Sequence, residues 1–154
     1  MSTSDVTVVQ AAPRLLAAVR ARLDVRTVGA RFRESLDQVY AAARAGQVTL
    51  DGQNVFVYRD TGVPWEVDAD FGVGATAPFT TVRAVVPITT PGGQVATMTH
   101  RGAYSGINGA HMAVRQWCAE QGRAITGVRW EVYGHWVADE SQLTTEICYQ
   151  LVPV

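Results

Sequence analysis

Hydrophobic and polar positions change their period several times along this chain, and each change predicts an element. Between Trp65 and Phe71 the alternation is strict: Trp65, Val67, Ala69 and Phe71 fall on one side, Glu66, Asp68 and Asp70 on the other. A period of two is that of a half-buried antiparallel strand. Arg129 to Trp136 reads the same way, with aromatic and β-branched residues. It places Glu131 and Tyr133 on one face and Trp130, Val132 and Trp136 on the other. From Val28 to Ala43 the period lengthens. Val28, Phe32, Leu36 and Tyr40 stand four apart, one face of a helix that Gly46 closes. A second helix is predicted from Gly106 to Gln121, with Ala110, Ala113, Val114, Trp117 and Cys118 on its apolar side and Gly122 after it. Further strands are predicted at 6–10, at 54–58 behind an Asp51-Gly52 turn, and at 81–86, 94–100 and 143–151. Gly72 to Pro78 reads as a small-residue connector. The segment from Leu15 to Val25 carries two signals. Its alanines and leucines favour helix, yet Val19, Ala21 and Leu23 alternate with Arg20, Arg22 and Asp24 in the strand period.

The order strand, strand, helix, strand, strand occurs twice. Val8-Val9, Pro13 and Ala18 are matched by Val85-Val86, Pro91 and Ala96, and Val57-Tyr58 by Val132-Tyr133. The pattern predicts one α+β domain over 1–154, built from duplicated units at about 5–72 and 80–152. Its antiparallel sheet would carry both helices on one face about a pseudo-twofold axis, with a ligand cleft where the halves join.

Composition narrows the function classes. The 154 residues are enough for one real core, and 47% are hydrophobic against 18% charged. With 13 Lys and Arg against 14 Asp and Glu, the net charge is −1. No basic stripe offers itself to phosphates, so no direct nucleic-acid binding is expected. No apolar run is long enough to span a membrane, and Met1-Ser2-Thr3-Ser4-Asp5 lacks the pattern of a secretory signal. Cys118 and Cys148 are then expected as reduced thiols of a cytoplasmic protein.

Most local motifs fail on context. Gly72-Val73-Gly74-Ala75-Thr76-Ala77 has the spacing of a dinucleotide fingerprint, but Pro78 and a strand follow where a helix should begin. His100, His111 and His135 are too scattered for a metal-ligand pattern, so no metal and no cofactor is expected. Neither cysteine has a neighbour that would activate it. Ser105 and Ser141 sit in no nucleophile elbow. The suggestive constellation is Tyr104, Glu131, Tyr133 and Tyr149. Tyr149 is in phase with Thr145, Ile147 and Leu151 on the last strand. A carboxylate among aromatic rings suits a cation if that face is covered, and is an ordinary solubilising residue if it is wet.

Three segments in this order resemble the GyrI-like effector-binding domain family, also called AraC-type effector-binding or SOUL-related domains. They are His100-Arg101-Gly102-Ala103-Tyr104, Trp117 late in the second helix, and Trp130-Glu131-Val132-Tyr133 with Thr145-Glu146-Ile147 downstream. Ala103 stands where the family usually has proline. The resemblance implies a duplicated β-α-β-β fold and makes Leu15 to Val25 a strand. It also implies a drug or metabolite sensor, in which Glu131 is the carboxylate at the base of an aromatic pocket for amphipathic, often cationic ligands. Tyr104, Tyr133 and Tyr149 are then wall residues, joined by Phe32 and Tyr58 from the first half. The expected function is stand-alone small-molecule binding of the transcription-effector type, any regulatory partner lying on another chain. Two alternatives come with the family. One is a hydrolase of reactive strained-ring natural products, with Glu131 catalytic. The other is a protein-binding module like a gyrase inhibitor, for which no long acidic run is present.

Overall fold

The computed structural model describes residues 5–154; the first four residues of the segment read for a signal pattern lie outside the described residues. In chain order the elements are β1 (Thr7–Ala11), β2 (Leu15–Asp24), α1 (Val28–Arg44), β3 (Leu50–Asp60) and β4 (Glu66–Ala75), followed by β5 (Val85–Thr89), β6 (Gly93–Arg101), α2 (Ile107–Glu120), β7 (Ile125–Tyr133) and β8 (Thr144–Leu151). This is the α+β order expected, strand-strand-helix-strand-strand twice over. Every strand pairing among the described residues for which a register is defined is antiparallel. No helix among them is long and apolar enough to cross a membrane.

The chain forms two compact units: residues 13–90, and residues 91–154 together with the segment ending at Ala12. The 13–90 unit is a sheet in the order β3-β4-β2-β5 under α1. Here the segment with conflicting signals is a strand, β2. It pairs with β4 from Leu16↔Gly74 to Asp24↔Glu66 and with β5 from Leu15↔Thr89 to Val19↔Val85. Two ladders and a buried face outweigh the few tenths of a kcal/mol per residue by which Ala and Leu prefer helix. The helix α1 buries Leu36, Val39 and Ala42, while Phe32 and Tyr40 are only half-buried. A spacing of four advances about 40° beyond a full turn at each step, so the predicted stripe drifts off the contact face and Val39 and Ala42 take its place. Phe32 meets Phe56 at 5.7 Å, and Phe56 and Tyr58 meet Phe71 edge-on at 5.1 and 6.5 Å, filling the space beneath the helix.

Two loop expectations fail here. Gly72 to Ala75 is not a connector but the second half of β4. A Cβ on Gly72 would lie 3.2 Å from both Ala18 Cβ and the Val55 carbonyl oxygen, so the small residue serves close strand packing. Asp51-Gly52 is not a turn but lies within β3, where the register shifts between Leu50 and Asn54 and Gly52 has φ +82°. That is the positive-φ glycine of a bulge. Pro87 is tolerated in β5 because β5 is an edge strand.

The other unit is a sheet in the order β1-β6-β8-β7 under α2. The strand that opens the chain, β1, pairs with β6 over Thr7↔Thr97 to Ala11↔Gly93. The core between sheet and helix contains Ala96, Met98, Ala110, Val114, Ile147 and Leu151. β7 stops at Tyr133, two residues short of His135. Trp136, expected on its face, lies beyond the strand and is 72% exposed.

Candidate functional site

Strand register builds the site. Across β7, β8 and β6 the residues that share the helix-facing side form rows: Tyr133, Thr145 and His100; then Glu131, Ile147 and Met98; then Arg129, Tyr149 and Ala96. The polar residues of the second and third rows are Glu131, Arg129 and Tyr149. On α2, Ile107, Ala110, Val114 and Cys118 go into the core. His111 is four residues after Ile107 and three before Val114, so it points down the same stripe.

Glu131 is 6% exposed. Its Oε1 accepts from the Tyr133 hydroxyl at 2.8 Å, and its Oε2 lies 2.7 Å from His111 Nε2. His111 Nδ1 lies 2.7 Å from the hydroxyl of Tyr149, a residue 2% exposed. A neutral imidazole with its proton on Nε2 satisfies the whole chain: Tyr149 donates to Nδ1, Nε2–H donates to Oε2, and Tyr133 donates to Oε1. Hydrogen bonds to both oxygens are the condition under which a buried carboxylate is tolerated. Arg115, one turn after His111, places its guanidinium 5.5 Å from the Tyr149 ring centroid. Burial pushes the Tyr149 phenol up, against the opposing pull of the Arg115 and Arg129 cations, so it remains a neutral donor at ordinary pH.

Tyr104 lies in a short 3-10 turn just before α2 and is 40% exposed. It meets Tyr133 edge-on at 5.6 Å, which links the buried carboxylate to an accessible ring. The corner beside it is tight. His100 Nε2 donates to the Ala103 carbonyl at 2.9 Å, and a Cβ on Gly106 would fall 2.7 Å from His100 Cε1. Four sequence-predicted residues, Tyr104, Glu131, Tyr133 and Tyr149, therefore stand together. Phe32 and Tyr58 belong to the aromatic cluster under α1 in the 13–90 unit. His111 and Arg115 were missed; the one available signal was that His111 falls in phase with Ile107, Val114 and Cys118.

Other chemistry in the molecule is quieter. Burial, and next to it the Glu146 carboxylate, push the Cys148 thiol far up, and burial also raises that of Cys118, so neither is an activated nucleophile. Among the described residues no three His, Cys, Asp or Glu are arranged to hold a metal ion. A groove of about 350 Å³ in the 13–90 unit is lined by Arg20, Arg22, Arg59, Asp68 and Asp70. Its charges answer one another: Arg22 reaches Asp68 at 2.8 and 3.0 Å, and Arg59 and Arg20 share the buried Asp70.

Comparison with known proteins bears on this arrangement. Among curated proteins none is a match to the sequence. Among solved structures the chain is similar to the C-terminal domain of EcmrR, with TM-score 0.80 at 16% identity over 97% of this chain and 98% of that one. It is also similar to EcmrR in its DNA complex, TM-score 0.79 at 16% identity, where 97% of this chain covers 57% of that one. It resembles SAV2435 bound to tetraphenylphosphonium, with TM-score 0.70 at 12% identity over 96% and 93% of the two chains. A hydrolase from Listeria innocua follows at TM-score 0.65 and 13% identity over 99% and 94%. At such identities these likenesses establish the fold. The family described as the GyrI-like small molecule binding domain matches residues 4–152, and the chain belongs to it.

Proposed function

We propose that this small-molecule binding domain takes amphipathic organic cations, with Glu131 as the counter-charge and Tyr104 and Tyr133 as the aromatic approach. The observation that carries the reading is the buried Glu131 carboxylate, anchored by Tyr133 and His111 in an aromatic setting. In a site of low dielectric a carboxylate oriented by Tyr133 and His111 selects a cation. The rings add a cation–π term of about 0.5–2 kcal/mol. That SAV2435 holds tetraphenylphosphonium, a lipophilic cation, is in keeping with this. That EcmrR, whose C-terminal domain has this fold, was solved in complex with DNA is in keeping with a role as a sensing module.

The hydrolase alternative asks Glu131 to hold and deprotonate a water. Both of its oxygens already accept from protein groups, and Tyr149 is a deeply buried phenol whose proton is held more tightly than usual. Those features favour binding over turnover.

Titration of the protein with tetraphenylphosphonium and with neutral triphenylphosphine oxide, followed by tryptophan and tyrosine emission, tests the reading. Glu131→Gln keeps the shape and removes the charge. It is expected to weaken the cation on the order of tenfold or more, the equivalent of about 1.4 kcal/mol, and to change the neutral ligand little. Equal losses for both ligands, or no binding of the cation by the unaltered protein, would refute it. Mass spectrometry of the recovered ligands should show them unchanged.

A further inference from the structure

Thr145 stands in the middle of β8, in the row between Tyr133 and His100 and on the side that faces α2. It is 0% exposed, yet its Oγ1 is a buried hydroxyl with no hydrogen-bond partner among the described residues. Leaving such a group unsatisfied costs about 1–3 kcal/mol, so a hydroxyl kept in that position stands out against the rule that buried polar atoms are paired. The residues next to it in the row are the ones that frame the site: Tyr133 donates to Glu131, and Tyr104 meets Tyr133 edge-on. Directly opposed side chains on neighbouring antiparallel strands have Cβ atoms about 4.5–5.5 Å apart, within one ligand group of each other.

From this we infer that Thr145 is a specificity residue of the site, and that the ligand is a cation bearing an N–H, a protonated amine or amidinium, in preference to a quaternary one. The inference rests on the cation-binding reading above and deepens it. Glu131 supplies charge but is already engaged by the Tyr133 hydroxyl and the His111 ring. Among the described residues the Thr145 hydroxyl is a buried polar atom on this face without a partner, and it can accept from an N–H seated over Tyr133. A fully alkylated cation satisfies the charge and leaves the hydroxyl orphaned. An N–H cation satisfies both, and discrimination by a buried, otherwise unpaired group is the kind that binding sites achieve most sharply.

The test compares two probes that differ in one N-substituent, (2-naphthylmethyl)dimethylammonium and (2-naphthylmethyl)trimethylammonium, both cationic at neutral pH. Their dissociation constants are measured by calorimetry on the unaltered protein and on Thr145→Val, Thr145→Ser and Glu131→Gln. The unaltered protein should favour the N–H cation on the order of tenfold. Thr145→Val should collapse that ratio to within about twofold, Thr145→Ser should restore it, and the Tm of Thr145→Val should be no lower than that of the unaltered protein, because an unsatisfied hydroxyl leaves the core. A preference that survives Thr145→Val belongs to the carboxylate and overturns the inference. So does the absence of a preference while Glu131→Gln still weakens both probes, an outcome that leaves the cation-binding reading standing. Failure of both cations to bind overturns both.

Discussion

Glu131 illustrates how much of a site rests on a single register. Its strand alternation places it beside Tyr133 and Arg129, but its energetic state is set by His111, which arrives from a helix twenty residues earlier in the chain at 2.7 Å. Truncating the imidazole would leave Glu131 Oε2 and the Tyr149 hydroxyl each short of a partner in a buried setting. His111→Leu is therefore expected to lower stability by about 2–4 kcal/mol, read as a fall in the urea midpoint. Loss of less than about 0.5 kcal/mol, the range of an ordinary surface substitution, would show that the pair does not hold the helix to the sheet. The tyrosines and the glutamate were legible from alternation and from the family resemblance. His111 was not, because an isolated histidine on a helix carries no sign of its partner until helix and strand are placed.

At the scale of elements, local propensity and partner strands disagree most openly in β2. Leu15-Leu16-Ala17-Ala18 is a run that would be at home in a helix, yet Leu16, Ala17 and Ala18 are buried in a strand held on both sides. The small side chains suit the site, since Ala18 lies against Gly72 across the ladder. Gly72→Val is expected to destabilise by about 1–3 kcal/mol through overpacking against Ala18 and the Val55 carbonyl, measured by chemical denaturation. An unchanged midpoint would mean the two strands can separate without penalty. By composition the glycines of 72–75 read as a linker. Only the neighbouring strands reveal that Gly72 lets backbones approach and that Gly74 leaves room for the Asp51 and Arg14 side chains. The bulge at Gly52 has the same lesson, for a turn and a bulge both call for a glycine at positive φ.

For the molecule as a whole, connectivity and surface charge are the features that matter. The strand that opens each predicted half is used by the other compact unit: β1 pairs with β6, and β5 pairs with β2. Surface charge is organised into local arginine–aspartate pairs. Hydrogen bonds from the Arg26 side chain and backbone hold the Asp24 carboxyl down to about 2, and a side-chain hydrogen bond from Arg22 lowers that of Asp68. A carboxyl that holds its proton less tightly when folded than when unfolded contributes stability above the unfolded value. That contribution is lost as pH falls through the folded one. The Tm difference between the unaltered protein and Asp24→Asn should therefore be full at pH 6, begin to shrink below about pH 4 and vanish near pH 2. These pairs are exposed, so the difference should be small throughout and smaller at high salt. A difference that grows in acid would contradict the assignment.

Period and composition by themselves determined the number and order of the elements, the kind of every one but the segment 15–24, and the aromatic and acidic residue types available to a site. These follow from local rules, since alternation and helical spacing are written into consecutive residues. Tertiary structure decided what those rules leave degenerate: that Leu15 to Asp24 is a strand, that 72–75 is packed β4, and which unit each opening strand completes. It also decided that Glu131 is buried and paired with His111, and that the Thr145 hydroxyl is buried without a partner. Each of these depends on which distant segment arrives opposite a given residue, and burial and hydrogen bonding are properties of that encounter.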